Sequence, residues 1–96
     1  MPKAYWISTY TSVTDPNAVA EYARLALPAM EGHCKILARG MPATVYEAGL
    51  KERMAVVEFP SVEAAIKMYE SPAYQRAVKA LAKGAVREIR IIEAAD

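Results

Sequence analysis

The sequence has few of the residues from which most recognisable active sites are built. It contains one histidine, His33, and one cysteine, Cys34. A single cysteine excludes an intrachain disulfide, and these two residues alone do not make a metal-ligand set. The sequence also lacks a glycine-rich phosphate loop and a Gly-x-Ser-x-Gly nucleophile elbow. We therefore predict no metal site and no cofactor, assign no catalytic residue, and leave open whether the protein is an enzyme.

Excess charge of one sign and long apolar runs are also missing. Lysine and arginine number 12 and aspartate and glutamate 11, which gives a net charge of +1. No basic run is longer than a pair, whereas a nucleic-acid surface usually has clustered basic residues. No apolar stretch could span a bilayer, and the first residues lack the apolar run of a signal peptide. We expect no nucleic-acid partner, no membrane association and a cytoplasmic location.

The composition that is present suits a small folded domain. Apolar residues make up 54% of the 96 residues and charged residues 24%, so one domain over residues 1–96 can form its own core. A domain of this size buries only about 60–65% of the surface of its unfolded chain. Association with a partner would therefore add useful burial.

Runs of apolar, aromatic and β-branched residues predict the strands of a sheet. The first, third and last strands cover Ala4–Tyr10, Arg53–Phe59 and Val86–Ile92. The segments Lys35–Arg39 and Ala43–Glu47 are short strand candidates with a glycine and a proline between them. We interpret these two segments as one bent edge strand.

The first helix is predicted between the first two strands. Asp15 can cap its amino end, and Pro16 suits the first helical position because proline has no amide hydrogen to leave unpaired. Pro28 falls within the apolar stripe that follows, so we expect a kink or break near Leu27. Gly32 is the predicted stop.

Two further helix starts follow the third strand. Ser61 is the predicted cap of one helix, and Ser71 followed by Pro72 repeats the cap-then-proline signal. The second of these helices is predicted to run to about Lys83, with Gly84 as its carboxyl-terminal stop.

The order β-α-β-β-α-β predicts an α+β ferredoxin-like sandwich, in which an antiparallel sheet has its helices on one face. Right-handed crossovers place the first and third strands in the middle of this sheet. Both strands have apolar residues on both faces, so the face without helices also needs cover. We therefore predict a homodimer through that sheet face, with Trp6, Met54 and Val56 among its residues.

Four residues are candidate ligand-binding residues: Tyr22, Arg39, Arg53 and Tyr69. The two tyrosines lie on inward helical stripes and could line a pocket, although an ordinary core position is the alternative. The two arginines lie on strands that could be adjacent, and guanidinium groups suit carboxylates and phosphates. For Arg39 and Arg53 the alternative is an ion pair within the sheet, with Glu47 or Glu58.

Three other residues have chemistry that needs an explanation. His33 could act as a general base, but a surface or capping role after the helix is the simpler interpretation. Cys34 is expected to be a buried, inert thiol. Glu58 lies in an apolar strand and needs a partner, such as Arg90 or Glu88 on the last strand or a residue of a second subunit, unless it is solvated at the strand end.

Several short segments together match the pattern of a known family. They are Lys3-Ala4-Tyr5, Tyr22, Arg39-Gly40, Arg53, Glu58-Phe59-Pro60-Ser61, Ala64-Ala65, Tyr69 and Ser71-Pro72-Ala73-Tyr74-Gln75. With these segments the chain resembles the domain-of-unknown-function family 1330 (DUF1330). The resemblance implies a ferredoxin-like protein of the dimeric α+β barrel class, usually bacterial, whose molecular function is not established. Relatives tend to have His-Gly-Gly where this chain has Gly32-His33-Cys34, so no role is transferred to His33.

Two hypotheses about function follow from these features. In the first, the protein is a small homodimer that binds an organic molecule between sheet and helices and could act as a cofactor-independent enzyme. In the second, it is a non-catalytic dimerisation or interaction module. The first hypothesis requires space between the sheet and the helices that side chains do not fill.

Overall fold

The structure, a computed structural model, describes residues 2–95. Four strands and three helices follow one another in the order β-α-β-β-α-α-β. The strands are β1 (Ala4–Val13), β2 (Lys35–Gly40), β3 (Met54–Phe59) and β4 (Ala85–Glu93). The helices are α1 (Pro16–Met30), α2 (Val62–Glu70) and α3 (Pro72–Leu81). The order confirms the predicted ferredoxin-like pattern, and the two helix starts predicted after the third strand are both present.

The four strands form one antiparallel sheet in the order β2-β3-β1-β4, so β1 and β3 are central as predicted. Side chains alternate between its two faces. The helices cover one face, and the other is called here the open sheet face. The open sheet face includes Tyr5, Ile7, Met54, Val56 and Ile92. Ile7 pairs with Val56 and Tyr5 pairs with Ile92, and residues paired in this way lie on the same face of the sheet.

Aromatic rings make up much of the core between the sheet and the helices. Trp6 is 2% exposed, and its ring centroid lies 5.5 Å from that of Phe59 and 5.2 Å from that of Tyr74. Trp6 therefore packs under the helices, and the prediction that it belongs to the dimer face is wrong. The strand alternation that puts Trp6 opposite Val57 also puts Val56 and Met54 on the open sheet face.

The predicted helix caps are confirmed. The Asp15 carboxylate accepts a hydrogen bond from the Asn17 amide at 3.0 Å, and the Ser61 hydroxyl accepts one from the Ala64 amide at 3.1 Å. Ser71 caps α3 by accepting from the backbone amide of Tyr74 at 3.2 Å. These side chains pair amides that the first turn of each helix leaves free.

Pro28 does not break α1. The helix continues to Met30, two residues beyond the proline. Pro28 lies in the last turn, where it leaves only the Arg24 carbonyl without an intrahelical partner. Both Pro28 and Arg24 are exposed, so water can pair with that carbonyl and the helix loses little.

The predicted second half of the edge strand, Ala43–Glu47, does not form. Strand β2 ends at Gly40, which pairs with Met54 at the start of β3. The next residues have no partner strand, Pro42 has no amide to donate, and Glu47 has a positive φ of 53°. The chain between Gly40 and Met54 is therefore a loop.

Gly84 has a different role from the predicted helix stop. Helix α3 ends at Leu81, and the residue with positive φ after it is Ala82, at 43°. The Gly84 carbonyl instead accepts hydrogen bonds from the amides of Thr14 and Asp15, at 2.8 and 2.9 Å. Gly84 thereby joins the start of α1 to the start of β4 by close backbone approach.

Candidate functional site

A cleft of about 90 Å³ lies between α1 and the helix-covered face of the sheet. Three of the four candidate residues line it: Tyr22 on α1, Arg39 on β2 and Arg53 immediately before β3. The other lining residues are mostly apolar and come from β1, β2, β3 and α1. They are Trp6, Ser8, Tyr10, Val19, Ala23, Ala26, Leu27, Met30, Ile36, Met54, Ala55 and Val57. Met54 borders the cleft at the start of β3, although the strand alternation directs its side chain to the open sheet face.

A β-bulge brings Arg39 to the cleft. Ile36 pairs with Val57 and Arg39 pairs with Ala55, so both face the helices although they lie three residues apart. Regular alternation would place them on opposite faces, but the register shifts between Ile36 and Ala38. The bulge therefore sets the direction of the Arg39 side chain.

Arg39 and Arg53 are the charged residues that line the cleft, and both are exposed at its edge. Within residues 2–95, neither makes an ion pair within 4.0 Å. Glu58 lies on the open sheet face, where its carboxylate is 3.4 Å from the Lys3 ammonium. The alternative role for the two arginines, an ion pair with Glu47 or Glu58, is therefore not present in this structure.

Glu58 has a different partner from the two residues expected on the last strand. Strand β1 lies between β3 and β4, so Arg90 and Glu88 are not neighbours of Glu58. Those two residues instead pair with each other at 3.7 Å. Lys3 balances the charge of Glu58, which removes the need for a functional explanation of this carboxylate.

Tyr69 is separate from the other three candidate residues. It does not line the cleft, and 37% of it is exposed on α2. Its ring centroid lies 5.6 Å from that of Tyr74, and it borders a shallow depression together with Arg87 and Ile89. The structure therefore brings together Tyr22, Arg39 and Arg53 and leaves Tyr69 outside the cleft.

A hydrogen-bonded group beside the cleft was not predicted. The Tyr22 and Tyr74 hydroxyls are 2.5 Å apart, and an Arg87 Nη2–H donates to the Tyr74 hydroxyl at 2.9 Å. The Arg87 guanidinium carbon also lies 4.4 Å from the centre of the Tyr22 ring, which is a cation–π distance. This group fixes the Tyr22 side chain at the cleft wall.

The sequence does contain a signal for Arg87. This residue has the same strand parity as Ile89 and Ile91, the apolar residues of β4 that pack against the core. A charged residue in that position is unusual because burial of an unpaired charge is costly. Among residues 2–95, no carboxylate lies within 4.0 Å of Arg87, so its polar partners are phenols.

Burial controls the ionisation of several groups. Desolvation, followed by the neighbouring Tyr22, raises the pKa of Tyr74 far above its ordinary value. Desolvation also raises the pKa of Tyr10, although Arg87 works in the opposite direction. Both phenols are therefore neutral hydrogen-bonding groups near neutral pH.

Cys34 and His33 lie away from the cleft. Cys34 is half-buried, its thiol donates to the Met30 carbonyl at 3.5 Å, and burial raises its pKa. A raised pKa lowers the thiolate fraction, which agrees with the expected unreactive thiol. His33 is exposed in the turn after α1. In residues 2–95 no three His, Cys, Asp or Glu side chains are grouped as a metal site would require.

The strand order and the single helical layer define a ferredoxin-like α+β protein. The chain belongs to a family described as a domain of unknown function, DUF1330, whose model matches residues 3–95. This match confirms the family resemblance found in the sequence. The comparison with curated proteins found no match.

Solved structures from bacteria share the fold. A protein of unknown function from Rhodopseudomonas palustris is 19% identical over 99% of this chain and 84% of its own, with a TM-score of 0.74. SnoaB, a cofactor-independent oxygenase from Streptomyces nogalater, is 9% identical over 100% and 96%, with a TM-score of 0.70. A dimeric ferredoxin-like protein of unknown function from Thermobifida fusca is 16% identical over 97% and 92%, with a TM-score of 0.67. At these identities the likeness shows the fold alone.

None of the helices in residues 2–95 has the length and apolar character needed to cross a membrane.

Proposed function

We propose that this protein binds a small organic molecule in the cleft between α1 and the sheet, and that it does so as a homodimer. The observation that supports binding most strongly is that side chains leave the space between sheet and α1 partly unfilled. Protein interiors are normally close-packed, with few voids larger than a water molecule. An apolar cleft with a few polar groups directed to it is the usual form of a small-molecule site.

The polar groups of the cleft are few and lie at defined positions. Ser8 on β1 lines the cleft. It is a polar residue, yet only 5% of it is exposed. Tyr22 is fixed by its contacts with Tyr74 and Arg87. Arg39 and Arg53 lie at the edge. This arrangement supplies hydrogen-bonding groups and positive charge around an otherwise apolar space.

Filling the cleft with a larger side chain is expected to abolish ligand binding. Ala23 is half-buried and lines the cleft, so Ala23→Phe would place a ring where the ligand binds. A compound at about 100 times its Kd stabilises a protein by about 2.7 kcal/mol, or roughly 10–20 °C in Tm for a domain of this size. A thermal-shift screen of small organic acids, amides and alcohols measures this effect.

The control for that screen is Ala20→Phe, since Ala20 is exposed on the same helix and does not line the cleft. We expect compounds that stabilise the wild-type protein and Ala20→Phe to have no effect on Ala23→Phe. Equal shifts in both variants would show that the compounds bind elsewhere. A complete lack of stabilising compounds would favour the alternative function, a dimerisation or interaction module.

The open sheet face supports the homodimer. Val86 and Ile92 are 60% and 59% exposed near the two ends of β4, and Ile7, Val56 and Met54 of the central strands lie on the same face. Exposed apolar groups on one surface favour association. In an isologous dimer the same face of each chain would cover the other. The Thermobifida fusca protein with this fold is itself described as dimeric.

A charge in the middle of the open sheet face is expected to convert the dimer to monomer. The wild-type protein should sediment at twice the chain mass of 10.5 kDa at micromolar concentration. Ile7→Asp should sediment as a monomer because the dimer would bury an added carboxylate, and Arg90, its cross-strand neighbour on β4, is already paired with Glu88. Ile66→Asp is the matched control, since Ile66 is 43% exposed on α2, away from that face. A wild-type monomer, or a dimeric Ile7→Asp variant, would contradict the proposed interface.

A further inference from the structure

We propose that the cleft selects an organic anion, namely a small carboxylate with a compact apolar body. This inference rests on the proposed function and specifies the class of ligand. Arg39 pairs across the sheet with Ala55, and Arg53 lies two residues before Ala55. The two arginines are therefore diagonal neighbours on one face of the sheet, within reach of a shared ligand.

Within residues 2–95, the arginines at this end of the sheet have no carboxylate within 4.0 Å. No aspartate or glutamate lines the cleft, and no carboxylate pairs with Arg39, Arg53 or Arg87. The Tyr10 amide donates to the Arg53 carbonyl at 3.0 Å, and Tyr10 also pairs with Arg87 on its other side. Three strands thus place Arg53, Tyr10 and Arg87 in one row, with a neutral phenol between two cations.

An anion at the edge of the cleft would pair with Arg39 and Arg53, the two arginines that line it, whereas Arg87 already has phenol partners. Guanidinium donors match the two oxygens of a carboxylate, and hydrogen bonds between charged partners are about twice as strong as neutral ones. Inorganic phosphate is also an anion but has no apolar part. The remaining walls, including Val19, Ala26, Met30 and Val57, would then stay uncovered. A carboxylate with a single ring or a short branched chain fits both the charge and the apolar walls.

The only tryptophan of the chain, Trp6, lines the cleft and reports on binding there. Nitrophenyl groups quench tryptophan fluorescence on contact. The probes are the carboxylate anion of 4-nitrophenylacetic acid and the neutral amide of the same acid. They share one chromophore and differ in charge. Titration of each probe against the wild-type protein gives two affinities whose ratio measures selection for the anion.

We expect the carboxylate to bind at least about tenfold more tightly than the amide, and added salt to reduce this ratio. The double variant Arg39→Gln, Arg53→Gln should lower carboxylate affinity about tenfold and leave amide affinity unchanged. Arg76→Gln is the matched control, because Arg76 is exposed on α3 outside the cleft, and it should bind like the wild-type protein. Circular dichroism verifies that each variant is folded.

Other outcomes would overturn the inference. Equal affinity for acid and amide, both lost in Ala23→Phe, would refute selection for an anion while the cleft remains a binding site. Quenching by neither probe would also overturn the inference, because the carboxylate probe has the charge and the single ring that the cleft is proposed to select. Binding of inorganic phosphate that displaces the carboxylate with equal affinity would show that the apolar walls contribute nothing. The proposed function would fail in a different way. In that case no compound of the thermal-shift screen would lose its stabilising effect in Ala23→Phe.

Discussion

Gly84→Ala is expected to lower the free energy of unfolding by about 3 kcal/mol, the upper part of the range for overpacked sites. A Cβ atom at residue 84 would overlap the Cβ of Ala18 and lie 3.2 Å from the Cβ of Asp15. Neither neighbour can move easily, because the Gly84 carbonyl accepts the Thr14 and Asp15 amides. The start of α1, which forms one wall of the cleft, would have to shift. Thermal unfolding should show a loss of roughly 10 °C or more in Tm.

A second substitution tests the cause of this loss. Ala18→Gly removes the overlapping atom at a helix-propensity cost of about 1 kcal/mol. The double variant Gly84→Ala, Ala18→Gly should therefore be more stable than Gly84→Ala alone. Ala20→Gly is the matched control: it has the same propensity cost at an exposed position of α1 and should restore nothing. A Gly84→Ala protein as stable as the wild type would show that the close approach is absent.

Tyr74→Phe is expected to cost about 2–3 kcal/mol, because it leaves a half-buried guanidinium without its hydroxyl acceptor. Tyr74 is fully buried, and its hydroxyl contacts both the Tyr22 hydroxyl and Arg87 Nη2. The same change at Tyr46, which is 79% exposed, should alter stability by less than about 0.5 kcal/mol. Chemical denaturation of the two variants measures the difference.

A double-mutant cycle separates the loss of the Arg87 contact from a general loss of packing. Arg87→Met removes the charge and leaves the two phenols paired with each other, so it should cost less than Tyr74→Phe. Adding Arg87→Met to Tyr74→Phe should recover part of the lost stability, since no unpaired cation then remains. Additive losses in the double variant would show that Arg87 and Tyr74 do not depend on each other.

The order of elements could be predicted because local signals and topology agree. Asp15, Ser61 and Ser71 cap helices where the sequence indicates, and the two strands with apolar residues on both faces occupy the middle of the sheet. The contacts between segments far apart in the sequence were harder to predict from the sequence. Trp6 and Val56 are both apolar residues of central strands, and only the position of the helices decides that Trp6 is core while Val56 lies on the open sheet face.

Only part of the candidate site could be predicted, because it also depends on contacts between segments far apart in the sequence. Tyr22, Arg39 and Arg53 have inward positions, but Arg39 faces the cleft through a bulge that no sequence pattern indicates. Tyr69 has the expected helical spacing, yet it packs against Tyr74 outside the cleft. The role of Arg87 was not predictable from charge pairing, because its partners are phenols from α1 and α3, which carry no opposite charge.

A crystal soaked with 4-iodophenylacetate would locate the bound molecule directly through the anomalous signal of iodine. We expect one iodine site per chain between α1 and the sheet, near Ala23 and Met30, with the carboxylate within hydrogen-bond distance of Arg39 or Arg53. A crystal of Ala23→Phe should lack this site. Iodine found only on the open sheet face or beside Tyr69, or a cleft that stays empty at saturating ligand, would contradict a small-molecule site in the cleft.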